Sequence, residues 1–303
     1  MGVFRLRLPA TSANLGAAFD TAAVALAFYL TVEAEKAEEF SIEATGRNAP
    51  QCSRMEDNLV LETYRSLLMR EGRPVQPLAI RMDNQIPLGM GCGSSAAGLL
   101  AATALAVHFG ELSWNSDRIL AEACALEGHP DNAAACWLGG LAIAACQAGA
   151  VHVARVEPPA AWRAIVVMPG KSLATSKARA LLPQQYTCVD TVANIQAASL
   201  LGVAFAQGRG DLLAPAMSDR IHQPYRAEVC PLLPLLLPLA GGHGVLGVAL
   251  SGAGPSVLLI LAGDETVPAA INAIQDTLAG KMDAEILTMK FESQGARDTL
   301  MEN

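Results

Sequence analysis

Between Ile86 and Gly98 the chain reads Ile-Pro-Leu-Gly-Met-Gly-Cys-Gly-Ser-Ser-Ala-Ala-Gly, with glycines 89, 91 and 93 leading into Ser94 and Ser95. Glycine has no Cβ, so such a loop can turn its N–H groups toward a ligand and adopt positive φ. The small, apolar run from Ala96 to Val107 is expected to be a helix, whose first turn adds free N–H donors and the positive end of its dipole. Phosphate suits such a place. The hydroxyls of Ser94 and Ser95 could meet phosphate oxygens or a magnesium shell. Two familiar phosphate loops do not fit: no lysine follows the last glycine, as a P-loop requires. The dinucleotide fingerprint fails too, because its third glycine would stand three residues after the second rather than two.

Further polar residues gather in short segments. Asn14 and Asp20 flank a turn after the first predicted strand, where Asx turns are an ordinary use of these types. His129, Asp131 and Asn132 follow Glu127-Gly128 and precede an apolar stretch read as a strand. Arg179 ends Thr175-Ser176-Lys177-Ala178-Arg179, and Arg226 ends Gln223-Pro224-Tyr225-Arg226. Most arginines are solvated with the stem packed down, but a guanidinium fork is also well shaped for a carboxylate. Asp57-Asn58 reads as a helix cap, and Ser251-Gly252-Ala253-Gly254 as a tight hairpin turn.

Pro87–Ala97, Pro9–Asp20 and Leu250–Ser256 together resemble, in order, three segments of the GHMP small-molecule kinases. Within that superfamily the homoserine kinases are the best match, through Pro9–Asp20, Glu127–Asn132 and Asp219–Arg226. The resemblance runs from about Pro9 to Ser256. It implies ATP and Mg²⁺ as cofactors and L-homoserine as substrate, phosphorylated on its side-chain hydroxyl in threonine biosynthesis. It implies that Pro87, Leu88, Gly89, Met90, Gly91, Cys92, Gly93, Ser94, Ser95, Ala96 and Ala97 hold the nucleotide, with Asn58 near its base. Asn14, Asp20, His129, Thr175, Arg179, Arg226 and Gly252 would bind the amino acid, the arginines taking its carboxylate and Asp20 its ammonium. The resemblance further implies Asn132 and Asp131 as the catalytic residues, Asp131 lining the pocket and Asn132 meeting the reacting hydroxyl. Ser94, Ser95 and a glutamate would hold the metal; Glu122 fits with a one-residue gap, and Glu127 is the alternative. Cys92 replaces the usual leucine and Ala17-Ala18 the usual Pro-Gly, changes that remove no polar group. The alternatives are a GHMP kinase for another hydroxylated small molecule and a ligand-binding regulator without turnover.

The elements that must position these residues are legible in outline. Strands are expected at residues 3–8, Phe40–Ala44, Leu78–Met82, Trp137–Ala145, Ala150–Val156 and Ala164–Met168, with an apolar segment at Ala22–Val32. Later strands are expected at Gly247–Ser251 and Val257–Ala262. Helices are expected at Asp57–Met69, Asp117–Leu126 with Ser116 as cap, Val189–Ala206, Asp211–Met217 and Val267–Leu278. Mixed order points to α+β rather than a doubly wound sheet. The resemblance implies a two-domain fold: a ribosomal-S5-like N-terminal domain, 1–157, and a ferredoxin-like C-terminal domain, 158–303.

Composition sets the remaining bounds. With 303 residues, 52% hydrophobic and 17% charged, the chain can bury a large core. A formal charge of −8 argues against nucleic acid or an anionic membrane as partner. Mean hydropathy is +0.31, yet the uncharged stretches Ala133–Val151 and Val229–Gly263 are broken by glycine or proline and read as buried strands and loops, not membrane spans. The N-terminus lacks the apolar core of a signal peptide, and seven scattered cysteines form no C-x-x-C pair. A cytoplasmic enzyme is expected, with a homodimer left open.

Overall fold

The computed structural model describes residues 3–300. Its first part runs β1 (Phe4–Ala13), β2 (Ala22–Lys36), β3 (Ser41–Gly46), α1 (Ala49–Cys52), α2 (Leu59–Arg70) and β4 (Leu78–Asn84). It continues with α3 (Ser94–Phe109), α4 (Ser116–Glu127), α5 (Asp131–Leu138), β5 (Leu141–Gln147) and β6 (Ala150–Val156). Alternation sets the strands: Phe4, Leu6 and Leu8 turn inward while Arg5 and Arg7 face water. The sheet is ordered β3-β4-β2-β5-β6, with β1 pairing β2 beside it. α3 is apolar nearly all round and accordingly buried.

The second part comprises β7 (Arg163–Pro169), α6 (Thr175–Ala180), α7 (Cys188–Gln207), α8 (Leu213–Ala216), α9 (Gln223–Arg226), α10 (Leu232–Leu236), β8 (Val245–Leu250), β9 (Val257–Leu261), α11 (Val267–Leu278) and β10 (Ala284–Met289). Its antiparallel sheet is ordered β10-β7-β9-β8. β7 and β9 lack polar alternation because both faces are covered. Ala164, Val166, Met168, Leu258 and Ile260 join the large core shared with the first sheet. Ile165, Val167, Val257, Leu259 and Leu261 pack instead with α10 and α11 residues such as Leu233, Leu236 and Ile274. The chain then returns to the first sheet, where Glu292 N–H donates to Ala25 O and Glu292 O accepts from Gly140. The result is an α+β fold.

Four local expectations change. Strand β1 continues through Pro9 to Ala13, because a register shift at Pro9/Ala10 accommodates the proline. Asn115, not Ser116, caps α4 by accepting from Arg118 N–H, while Ser116 Oγ accepts from Trp137 Nε1. Trp137 and Leu138 end a helix rather than begin a strand; the strand starts only after Gly139 and Gly140. Consequently His129–Asn132 leads into a helix. α7 is the one helix among the described residues long and apolar enough to cross a membrane. Its Leu201, Ala204 and Phe205 pack into the shared core, and Asn194 Nδ2 donates to Ala17 O.

Candidate active site

Asn84, at the end of β4, launches the glycine loop: its amide donates to Ile86 O and Arg47 O and accepts from Ile86 N–H. Two glycines are required sterically as well as by positive φ. A Cβ on Gly91 would lie 2.1 Å from Ser251 O, and one on Gly93 would lie 1.9 Å from Thr11 Oγ1. Gly93 caps α3 without a side-chain acceptor, so the N–H groups of the first turn are left for a ligand. Ser251 Oγ donates to Gly91 O at 2.6 Å, clasping the C-terminal glycine turn onto the loop.

Ser94 and Ser95 stand where two cavities meet. One, of about 360 Å³, is walled by Cys52, Arg54, Asn58, Leu59, Met82, Leu88 and Gly98 among others. Asn58 caps α2, accepting from Val60 and Leu61 N–H, and its Nδ2 donates to Cys52 O and Arg54 O. The cap reading and the cavity-wall reading are therefore both true of this residue.

The other cavity, of about 200 Å³, brings together Asn14, Asp20, Gly93, Glu127, His129, Asp131, Asn132, Thr175, Arg179, Arg226 and Gly252. Segments distant in sequence meet here. Arg179 makes a two-pronged pair with Asp20, at 2.9 and 2.6 Å. Arg226 is 1% exposed, yet no carboxylate among the described residues pairs with it; its Nε donates to Ala178 O and its Nη1 to His222 Nδ1. Burial lowers the Arg226 pKa and the Arg179 charge lowers it further, with the more distant charges of Asp20 and Asp219 opposing. A buried cation without a counter-ion is costly unless a ligand supplies one.

Asp131 is buried and accepts from Asn132 N–H and from His129 Nδ1, each at 2.7 Å. Burial disfavours the imidazolium of His129, but the bond to Asp131 and the charges of Asp131, Glu127 and Asp20 overcome it, so its pKa lies above the ordinary value. Asp20, His129 and Asp131 could in geometry hold a metal. Asp20 is, however, engaged by Arg179, and Asp131 by Asn132 N–H and His129 Nδ1. Asn132 Oδ1 accepts from Thr11 Oγ1 at 2.7 Å, which directs the amide nitrogen away from Thr11; that nitrogen lies 3.5 Å from Asp131 Oδ1 and keeps a second hydrogen to donate.

Glu127 Oε2 accepts from Ser95 Oγ at 2.8 Å. Burial raises the Glu127 pKa, opposed by that hydrogen bond. A carboxylate and two hydroxyls at the junction of the cavities are hard oxygen donors that fit magnesium. Glu122 lies elsewhere: it pairs with Arg70 at 2.7 Å and Arg118 at 3.7 Å, so its charge is already spent.

Family models described as GHMP kinases N terminal domain and GHMP kinases C terminal match residues 58–140 and 203–280. The chain belongs to the GHMP kinase family. It is 42% identical to a homoserine kinase of Solibacter usitatus over 84% of each chain. It is 34% identical to a homoserine kinase of Synechocystis sp. over 98% of each. The crystal structure of homoserine kinase from Cytophaga hutchinsonii has the same fold, with TM-score 0.83 at 24% identity, covering 97% of this chain and 96% of that one.

Most residues singled out in this kinase by its sequence line one of the two cavities. Pro87, Met90, Ala96, Ala97 and Glu122 line neither. Cys92 is buried, and burial pushes its thiol up to about 12. Both ends of the Asn14 amide are used internally, donating to Gly252 O and accepting from Asp20 N–H. Residue type and spacing do not mark Thr11 or His222, which orient Asn132 and Arg226. Thr11 directly follows Pro9-Ala10 in a segment already quoted for the resemblance, and His222 lies inside another; each was visible, but its partner was not.

Proposed function

We infer that this chain is a homoserine kinase, transferring the γ-phosphoryl group of ATP to the side-chain hydroxyl of L-homoserine. The products are O-phospho-L-homoserine and ADP. The observation that carries the substrate is Arg226, a buried cation in the acceptor cavity that pairs with no carboxylate among the described residues. Arg226 and Arg179 would take the α-carboxylate, and Asp20 the ammonium. The Asp20–Arg179 pair stands in for those two charges until the zwitterion enters. Thr175 and Gly252 would complete the acceptor wall. ATP would place its base beside Asn58 and Leu88, and its phosphates along Gly89–Ser95.

Chemistry in such a site is mainly positioning and charge neutralisation. Asn132, oriented by Thr11, would donate to the acceptor hydroxyl oxygen and hold it in line. Asp131 would fix His129 and the turn into α5 by accepting from His129 Nδ1 and Asn132 N–H, and no side chain is called on as a strong base. Ser94, Ser95 and Glu127 would hold Mg²⁺; when bound, the ion neutralises phosphate charge. The domain division at 157/158 follows the gap between β6 and β7. We place the enzyme in the cytoplasm, a reading supported by seven unpaired cysteines. A homodimer is supported by α7, where Val189, Val192, Ile195 and Val203 stand exposed.

The test is ADP release with L-homoserine, mevalonate, galactose and shikimate as acceptors. Homoserine should be preferred by at least about 10²-fold, the contribution of one or two charge-assisted contacts. Equal or better turnover of a substrate lacking the amino group would overturn the assignment.

A further inference from the structure

His222 is wholly buried between the two segments that shape the carboxylate end of the acceptor cavity. Its Nε2 lies 2.8 Å from Gly16 O. A carbonyl only accepts, so Nε2 carries the proton and Nδ1 is bare. The bare nitrogen lies 3.1 Å from Arg226 Nη1, which donates to it. The tautomer is thus fixed from one side and used on the other. Burial holds the ring's pKa below its ordinary value, with Arg226 acting in the same direction and Asp219 against it. Asp219 also accepts from the backbone N–H groups of His222 and Gln223, at 2.9 and 2.6 Å, which fixes the backbone from which the ring projects.

The guanidinium has five N–H donors. One Nη1 hydrogen goes to His222 and the Nε hydrogen to Ala178 O, leaving three. The ring of Phe19 stacks on His222, with centroids 5.1 Å apart, and lies 5.3 Å from Arg226 Cζ. Phe19 restrains both planes but offers no acceptor in the guanidinium plane. Among the described residues, only His222 and Ala178 O accept from the fork and set its rotation about its own axis. The Ala178 contact is the longer, at 3.3 Å.

The geometry points to His222 as a positioning residue for substrate selection, acting through Arg226. As a neutral acceptor it turns the guanidinium so that its free edge meets an α-carboxylate, without adding a counter-ion that would compete with the substrate. An aspartate or glutamate in its place would neutralise Arg226 and weaken its hold on an incoming carboxylate. This inference rests on the acceptor reading above.

The test compares kcat/KM for L-homoserine and for 3-aminopropan-1-ol, which is homoserine without its carboxylate. The ratio of the two on one preparation is independent of the fraction of folded enzyme, so a partly damaged variant remains informative. His222→Gln can place an amide N–H near the Nε2 position but provides no acceptor at Nδ1. His222→Asn places an amide oxygen near Nδ1 and gives up the bond to Gly16. Arg226→Met removes the fork itself.

Wild type should prefer homoserine by about 10²-fold or more, and Arg226→Met should abolish most of that preference. His222→Gln should lower the preference about tenfold, through the KM for homoserine rather than kcat. His222→Asn should keep it within about threefold, rescuing the function of the acceptor. Equal losses on both substrates would show a merely structural histidine and overturn the proposal. So would an unchanged preference in His222→Gln, or an Asn variant as poor as the Gln one. If wild type shows no preference, or Arg226→Met retains it, the acceptor reading itself has failed. That result is distinct from a failure of His222 alone.

Discussion

On the α2 side of Ser94 and Ser95, the amide that lines the cavity is saturated by the chain's own backbone. Asn58 spends its oxygen on the first turn of α2 and its nitrogen on two carbonyls of the Cys52–Arg54 segment. On the α5 side the lining side chains are charged. Asp20, Glu127 and Asp131 face Arg179, Arg226 and a His129 held toward its charged form. The first cavity has a shape settled by folding, and an adenine-sized ligand would meet Leu59, Met82 and Leu88 there, with Arg54, Glu56 and Asp57 along one side. The second holds electrostatic tension, above all at Arg226, which a zwitterion can relieve. A site that must bind a common nucleotide can be finished in advance. A site that must select one small charged acceptor gains from leaving a charge unanswered, because neutral competitors then leave a buried group unpaired.

The largest expected effect comes from breaking the junction that both cavities share. Gly93→Val places a side chain where Thr11 Oγ1 would be 1.9 Å away and Asn132 Oδ1 3.3 Å away, at a φ of +72°. Backbone strain of about 1–3 kcal/mol adds to a misplaced Asn132, for which a 1 Å error costs roughly 10²-fold. Steady-state kinetics should therefore show kcat/KM for homoserine falling on the order of 10³-fold. Calorimetric titration should show ATP binding weakened in the same variant. A folded variant with near-normal turnover would mean that the loop is not the shared hinge of the two cavities.

Glu127 sharpens the comparison, since it belongs to the strained side but touches the junction. Its pKa is raised by burial, with the Ser95 bond opposing, so the unfolded chain gives up this proton more readily than the native one. In acid the group is protonated in both states and costs nothing. As pH rises past its unfolded value the native state loses relative stability, and the loss is complete above the folded value. Glu127→Gln keeps an acceptor for Ser95 and removes that loss. Its Tm should match wild type in acid and exceed it near neutrality by about 2 °C without Mg²⁺. Its kcat should drop roughly tenfold to 10²-fold with saturating Mg²⁺. A variant that is less stable at neutral pH, or fully active, contradicts this.

The two cavities also differ in how far the sequence reveals them. The glycine loop is legible because its requirement is local: alternate glycines leading into Ser-Ser mean close approach and positive φ, whatever surrounds them. The α+β order and the longer elements are legible for the same reason, through local periodicity, while the short helices α1, α6, α9 and α10 and the edge strand β10 have no counterpart in it. The acceptor cavity is legible only through resemblance. Nothing near Arg226 in sequence says that it will be buried, that Asp20 will be taken by Arg179, or that His222 will reach it. Those are facts of long-range packing. The differences have the same origin: the expected strand Trp137–Ala145 starts inside the last turn of α5, because an Ala-rich run suits either state until Gly139-Gly140 decides the boundary. Glu122 and Glu127 lie on the same helix, and only packing against Arg70 shows which carboxylate is spent.

The smallest effect should come from the finished side, where one residue does two jobs that substitution can separate. Asn58→Ala removes the N-cap of α2, worth about 1 kcal/mol, and with it the two bonds to Cys52 O and Arg54 O. Thermal denaturation should show Tm lower by about 2–4 °C. The KM for ATP should rise by roughly threefold, a loss smaller than one ordinary hydrogen bond, while the KM for homoserine stays unchanged. Asn58→Asp separates the roles. Aspartate caps a helix as well as asparagine and favours the positive end of its dipole, so the Tm loss should largely disappear. It has no N–H for the two carbonyls and sets a negative charge against them. The ATP defect should therefore persist in Asn58→Asp and exceed that of the alanine variant. If the aspartate variant instead restores both Tm and ATP affinity, the wall owes its shape to α2 alone. The bonds to Cys52 O and Arg54 O would then contribute nothing to nucleotide binding.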